Sequence, residues 1–342
     1  MKEGTEGTNE GKADSEAGSS ITTPAKGRRY LLSLFAGAGG ALAVFCLMLM
    51  GLHTTQNLPP PAFSNSLCVD EKLSFLRDNP VDNPNLLVIG SSVAWRHVDG
   101  DTLASDIPGA RPLNGAFCGL HANQSIYVAN WLLERHPTTE RVVMIVDPED
   151  FAGCWKSRTE VFNRRDADDY VYNESWHWKY YMRYFSPGSL IRNAKTVKAQ
   201  RADLIEFDPL VFNRYGDGPL NTENSRELLY GKPEALDQTC FQALKSLAGH
   251  LDAQDRKFLV VSTPLNPDWK AKYDPQGSVM AEFSSEISRA LAGTDATYWN
   301  ADKEWQASSE SFIDAIHMRW STVKKFTHVL ANQIEKNSIA TL

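Results

Sequence analysis

The order of apolar and polar positions gives one long apolar run followed by several short ones. Residues 30–52 are almost wholly apolar and carry no charge, enough for the ~20-residue helix that crosses a bilayer core. Further on, 86–89 is a continuous apolar run, the pattern of a strand buried on both faces, and 142–146 and 258–261 repeat it. Between these runs the period is helical. Ile126, Ala129, Leu132 and Leu133 recur at helical spacing over 122–134, which stops before His136-Pro137. Residues 235–251, 281–291 and 321–334 read as further helices, with a strand around 111–113 and a short one at 297–299. Strands alternating with helices predict an α/β fold, a three-layer α/β/α arrangement around a parallel sheet.

The rhythm fails over 151–233, which reads as an insertion. Tyr170, Tyr172, Trp176, Trp178, Tyr180, Tyr181, Tyr184 and Phe185 crowd its middle, interleaved with Arg and Lys. Such rings either pack a small core of their own or form a helical lid over the active edge of the sheet. In the second case aromatic and cationic groups would suit sugar faces and acidic glycans.

The N-terminal end adds a location. Residues 1–29 are poor in large apolar side chains and predict a disordered tail. Lys26, Arg28 and Arg29 directly precede the apolar run, and no Lys or Arg follows it until Lys72. This asymmetry places the tail in the cytoplasm and everything after residue 52 outside. A cleaved signal peptide is the alternative, although its n-region would be unusually long and no Ala-x-Ala site follows. Pro59-Pro60-Pro61 stiffens a linker over 53–66, leaving 67–342 as the outer domain. The net charge of −7 and the lack of a basic run with interleaved aromatics argue against a nucleic-acid partner. Outside the apolar run stand Cys68, Cys118, Cys154 and Cys240, which allow two disulfides in three connectivities. Cys118 and Cys154 each follow a predicted strand, so a bridge between them is the first expectation, with buried free thiols as the alternative. No spacing suggests a metal site.

In an open parallel sheet, ligands bind outside the carboxyl ends of the strands. Ser91 and Ser92 fall at the end of the first buried strand. Asn114-Gly115-Ala116-Phe117-Cys118-Gly119 follows the second, and Asp314-Ala315-Ile316-His317 forms a loop before the last helix. Serine is a poor nucleophile until an imidazole takes its proton and a carboxylate fixes the imidazole tautomer, so these residues point to acyl-ester chemistry. His97 and His121 lack an Asp-x-x partner and read as polar residues flanking the site. Asp147, Glu149 and Asp150 could touch substrate, but a strand-end Asp-Pro turn explains Asp147 without function.

With Gly90-Ser91-Ser92, Asn114 to Gly119 and Asp314-x-x-His317 in this order, the chain resembles the SGNH, or GDSL-like, hydrolase superfamily. It departs from the family's third block, Gly-x-Asn-Asp, where Asp147-Pro148-Glu149-Asp150 stands and the usual oxyanion asparagine is missing. Ser91 replaces the family's Asp before the nucleophile. These features, with Thr263-Pro264-Leu265-Asn266, look like the branch of the D-alanine-transfer protein of teichoic acid synthesis and the alginate O-acetyltransferases. The resemblance implies a nucleophilic Ser92, a general base His317 and an orienting Asp314. It implies an oxyanion hole from the N–H groups of Ser92 and Gly119, with Asn114 or Asn123 as a third donor. Ser91, Asp147, Trp176, Trp178 and Asn266 are the expected substrate contacts. No cofactor is implied. The expected partners are an extracytoplasmic polysaccharide, the lipid bilayer and a membrane protein that donates acyl groups, at a bacterial cytoplasmic membrane with the main domain periplasmic. A catalytically inactive envelope protein that binds glycan or a membrane partner is the competing expectation.

Overall fold

The structure, a computed structural model, describes residues 24–173 and 176–339. The expected disordered tail lies outside the described residues as far as residue 23. The chain divides into two compact units, one ending at Gln56 and one beginning at Asn57. In the first, α1 (Pro24–Thr54) starts six residues before the predicted run and ends two after it. Proline suits a first helical turn, and a hydropathy pattern marks the apolar stretch rather than the helix ends. Its segment Gly27–Thr54 contains an 18-residue window with a mean hydropathy of 2.1, and is long and apolar enough to cross a membrane by length and composition.

The second unit opens with α2 (Leu67–Asp78), then β1 (Leu86–Gly90), α3 (Ser92–Arg96), α4 (Gly100–Asp106), β2 (Pro112–Asn114), α5 (Ala122–Arg135) and β3 (Arg141–Val146). The insertion follows with α6 (Arg164–Val171), α7 (Trp178–Arg183) and α8 (Pro187–Arg201), then an irregular stretch. The chain closes with α9 (Gln238–Asp252), β4 (Lys257–Ser262), α10 (Pro267–Tyr273), α11 (Ser278–Leu291), β5 (Thr297–Asn300), α12 (Ala301–Glu304) and α13 (Trp320–Ile339). The five strands are all parallel, in the order β2-β1-β3-β4-β5.

Alternate residues of each buried strand face opposite layers. Leu87, Ile89, Val142, Met144 and Val260 join a core with Leu132 of α5, Leu244 of α9 and Phe283 of α11. Leu86, Val88, Val143, Ile145 and Val261 face Ala94 of α3, Leu103 of α4 and Phe326 of α13. Both faces are therefore covered, which is why these strands read as unbroken apolar runs. After β1 the chain moves outward to β2 and then returns to β3 on the other side of β1. The crevice at this switch point is where such sheets bind ligands.

One expectation about connections is corrected, and the linker gains contacts that the sequence does not show. Phe63 is buried against the rings of Tyr170, Tyr180 and Tyr184 at 4.7, 5.0 and 5.1 Å, and Tyr181 Oη donates to the Pro59 carbonyl at 2.7 Å. The aromatic insertion thus builds its own core around Phe63. The disulfides are Cys68–Cys118 and Cys154–Cys240, not Cys118–Cys154. Cys118 faces the start of α2 and Cys154 the start of α9, contacts that strand order alone does not reveal.

Candidate active site

β1 delivers its last residue, Gly90, with φ +139°, and a Cβ there would lie 2.4 Å from the Ile145 carbonyl oxygen and 2.6 Å from Ala94 Cβ. Only glycine fits both that backbone and that contact, so the sharp turn from strand to helix requires it. Ser91 caps α3, and Ser92 is the first residue of that helix. Ser92 Oγ lies 3.0 Å from His317 Nε2. His317 Nδ1 lies 2.9 Å from Asp314 Oδ2 and 3.1 Å from Oδ1. A carboxylate accepts, so Nδ1 carries the proton and Nε2 is left to accept from the serine hydroxyl.

Asp314 reaches this position through its own loop. Its Oδ1 accepts the backbone N–H groups of Ile316 at 3.0 Å and His317 at 2.8 Å, folding the Asp-x-x-His segment so that carboxylate and ring meet. Burial alone would raise the Asp314 pKa, but the hydrogen bonds and charge of His317 and the Ile316 N–H outweigh it and hold it well below the usual carboxylate range. Asn266 anchors the loop from the other side, its Nδ2 donating to the Asp314 carbonyl at 3.1 Å. It is buried and positions the loop, so it is not placed as a substrate contact.

Several participants carry no motif. Tyr230, from the irregular end of the insertion, donates its hydroxyl to Asp314 Oδ2 at 2.8 Å. The same segment straps the loop through backbone bonds from Arg226 N to the Ile313 carbonyl at 2.7 Å and from Ala315 N to the Leu228 carbonyl at 2.9 Å. His97, expected merely to flank the site, is fully buried. Its Nε2 accepts the Met318 N–H at 2.9 Å, so its Nδ1 proton goes to Thr263 Oγ1 at 2.7 Å. Burial, then the neighbouring His317, holds its pKa well below the ordinary imidazole value. It is a neutral brace beneath the loop.

The expected oxyanion donors separate into two groups. The loop after β2 is held to the nucleophile turn by Phe117 N donating to the Gly90 carbonyl at 3.3 Å. Gly119, at φ +67°, has open space where a Cβ would be. Neither the Ser92 nor the Gly119 backbone N–H donates to a partner among the described residues. Asn114 and Asn123 are corrected. Asn114 Nδ2 is engaged by the carbonyls of Ala94 and Trp95 at 3.1 and 3.2 Å and by Asp217 Oδ1 at 2.9 Å. Asn123 Nδ2 donates to the Cys154 carbonyl at 3.3 Å and Thr159 Oγ1 at 3.1 Å. Both amides hold the fold and are spent as donors.

The remaining expected contacts are also redistributed. Ser91 is buried and its hydroxyl accepts the Val93 N–H at 3.5 Å. Asp147 is buried in its own turn, Oδ1 accepting from Glu149 N at 2.7 Å and Asp150 N at 3.1 Å, which removes it from substrate reach. Burial pushes its carboxyl up to about 6, and burial with the Asp147 charge raises Asp150 well above the ordinary carboxylate value. An acidic pair therefore occupies the turn after β3. Trp178 packs on His177 and Tyr181, while Trp176 is exposed at 70%; neither is brought to the triad by these contacts.

Fold and geometry together define a class: a parallel α/β protein with serine, histidine and aspartate joined at the carboxyl edge of its sheet. Solved structures with similarity to the chain include a putative arylesterase from Agrobacterium tumefaciens, at TM-score 0.38 and 12% identity, covering 74% of this chain and 99% of that one. A carbohydrate acetylesterase family member from Sinorhizobium meliloti gives 0.36 and 11%, covering 74% and 98%. The inhibitor-bound aryl esterase of M. smegmatis gives 0.36 and 13%, covering 74% and 99%. No family model matches the chain, and no curated protein matches it.

Proposed function

We propose that the chain is an SGNH-type serine esterase or O-acyltransferase, anchored in a membrane by α1, that removes or adds small acyl groups on an extracytoplasmic polysaccharide. The observation that carries this reading is the relay from Ser92 Oγ to His317 Nε2 at 3.0 Å and from His317 Nδ1 to Asp314 at 2.9 Å. Ser92 Oγ attacks the acyl carbonyl carbon as its proton passes to His317 Nε2. The Ser92 and Gly119 N–H groups receive the oxyanion. The bond to the leaving oxygen breaks, His317 returns its proton there, and an acyl-Ser92 ester remains. Water or a sugar hydroxyl then gives a proton to His317 and attacks the ester, releasing Ser92. Asp314 keeps the imidazole in the required tautomer and stabilises its charged form. This sequence has no step for a metal or cofactor.

Placement outside the cytoplasm is supported by the Lys26, Arg28 and Arg29 cluster before α1 and by two disulfides, which persist in oxidising compartments. The polysaccharide substrate and a membrane-bound acyl donor rest on the Gly-Ser-Ser variant and the resemblance to envelope acyltransferases. Replacing Ser92 by Ala should lower turnover of 4-nitrophenyl acetate by about a thousandfold or more, with the circular dichroism spectrum unchanged. Undiminished turnover by the variant would sink the acyl-Ser92 mechanism, while no turnover by the parent chain would favour a non-catalytic envelope protein instead.

A further inference from the structure

A cavity of about 450 Å3 opens between α5, α9 and the first residue of α6. That is an ordinary size for a small-molecule site, usually ~300–1,000 Å3. It lies at the edge of the sheet opposite Ser92. Helices α5 and α9 run back from the carboxyl ends of the strands, and the cavity takes Leu133 and Glu134 from the end of one and Leu247 and His250 from the end of the other. Arg256, also in the lining, directly precedes β4, whereas Ser92 follows the last residue of β1.

The lining combines an apolar floor with idle cationic donors. Ile126, Leu133 and Leu247 are buried beneath it. Arg164 Nη1 pairs with Glu134 Oε1 at 3.1 Å. Its Nε and Nη2 are buried and have no partner among the described residues. These two nitrogens form the side-on fork of a guanidinium, which gives two parallel bonds to one oxyanion. Arg77 uses the same edge for Asp78, and Arg135 uses it for Asp168. In Arg164 the fork is unused. Arg256 Nη1 is likewise buried without a partner among the described residues. Glu134 is the one carboxylate among the described lining residues, so two cations face a single anion. A buried N–H left unpaired is costly, more so on a charged group. Water would meet these donors but leave the apolar floor wet; an organic anion satisfies both.

We infer that this cavity binds a small organic carboxylate. The carboxylate takes the Arg164 fork within the field of Arg256, and the apolar body rests against Ile126, Leu133 and Leu247. The site is separate from the acyl chemistry, and its ligand ties the start of the insertion to α5 and α9.

Isothermal titration of the full-length protein in detergent with three probes tests this. Benzoate carries both parts, benzamide has the same shape without the charge, and inorganic phosphate has charge without an apolar body. Benzoate should bind at least tenfold tighter than either of the others. Arg164→Lys keeps the charge and removes the fork, so it should weaken benzoate by about tenfold. Arg256→Gln removes the second cation and should weaken it by about as much. Both variants should keep the circular dichroism spectrum of the parent chain. Equal affinity for benzoate and benzamide, tighter binding of phosphate, or a benzoate affinity unchanged in either variant overturns the assignment.

Discussion

Asp314 is the most constrained side chain of the site, accepting from the His317 ring, two backbone N–H groups and the Tyr230 hydroxyl. Removing the charge and removing one donor should differ sharply in effect. Asp314→Asn misassigns the imidazole tautomer and should reduce kcat by about a thousandfold or more. Tyr230→Phe leaves the carboxylate and opens its oxygen to water, since Tyr230 is half exposed, so kcat should fall by only about three- to tenfold. Steady-state kinetics on an acetyl ester distinguishes the two. The same carboxyl gives a pH signature. Its folded pKa is depressed, so its contribution to stability is fully present above the unfolded value of ~3.9 and is lost as pH falls through the folded one. Urea midpoints should therefore drop between pH 5 and pH 3 more steeply in the parent chain than in Asp314→Asn; equal slopes would remove Asp314 from that role. Ser92, Asp314 and His317 are legible in the sequence because a strand end and a three-residue spacing place them. Tyr230, His97 and Thr263 are not, because their bonds join residues 84 to 221 positions apart. Motif spacing also located Asn114, but could not show that its amide is consumed by Ala94, Trp95 and Asp217.

At the scale of elements, the parallel sheet is legible because each central strand is covered on both faces and so carries an unbroken apolar run. Helix α2 escaped because Asp70 and Lys72 interrupt its apolar stripe. Both are buried, Asp70 accepting from Ser64 N and Oγ at 2.9 Å each and Lys72 Nζ donating to the Gly216 carbonyl at 2.7 Å. Local pattern reads both as solvent-facing; a partner 144 residues away explains Lys72, and the Ser64 turn just before the helix explains Asp70. The strap over 225–231 is irregular, and beside bonds within itself it bonds the Asp314–His317 loop and its approach through Ser225 Oγ, Arg226 N, the Leu228 carbonyl and Tyr230 Oη. Arg226→Pro removes the N–H that the Ile313 carbonyl accepts. It should lower kcat by about tenfold, the cost of one buried hydrogen bond, with the melting temperature little changed. A large fall in melting temperature with kcat intact would make the strap a stability element only.

Across the whole second unit, two disulfides close long loops, with sequence separations of 50 and 86. In the chain-entropy description each constrains the unfolded state by about 4 kcal/mol, so reductant should lower the urea midpoint substantially. Peptide mapping without reduction should recover Cys68 linked to Cys118 and Cys154 linked to Cys240. The sequence supplied the four thiols but left the connectivity open, since pairing depends on how α2 and α9 pack on the loops after β2 and β3. The proposed function requires that one hydroxyl, that of Ser92, be reactive. Treating the full-length protein with a fluorophosphonate probe and locating the adduct by tandem mass spectrometry asks this of every serine at once. A stoichiometric adduct on Ser92, lost in His317→Ala, is expected; no adduct, or one on Ser91 instead, would refute an acyl-Ser92 enzyme.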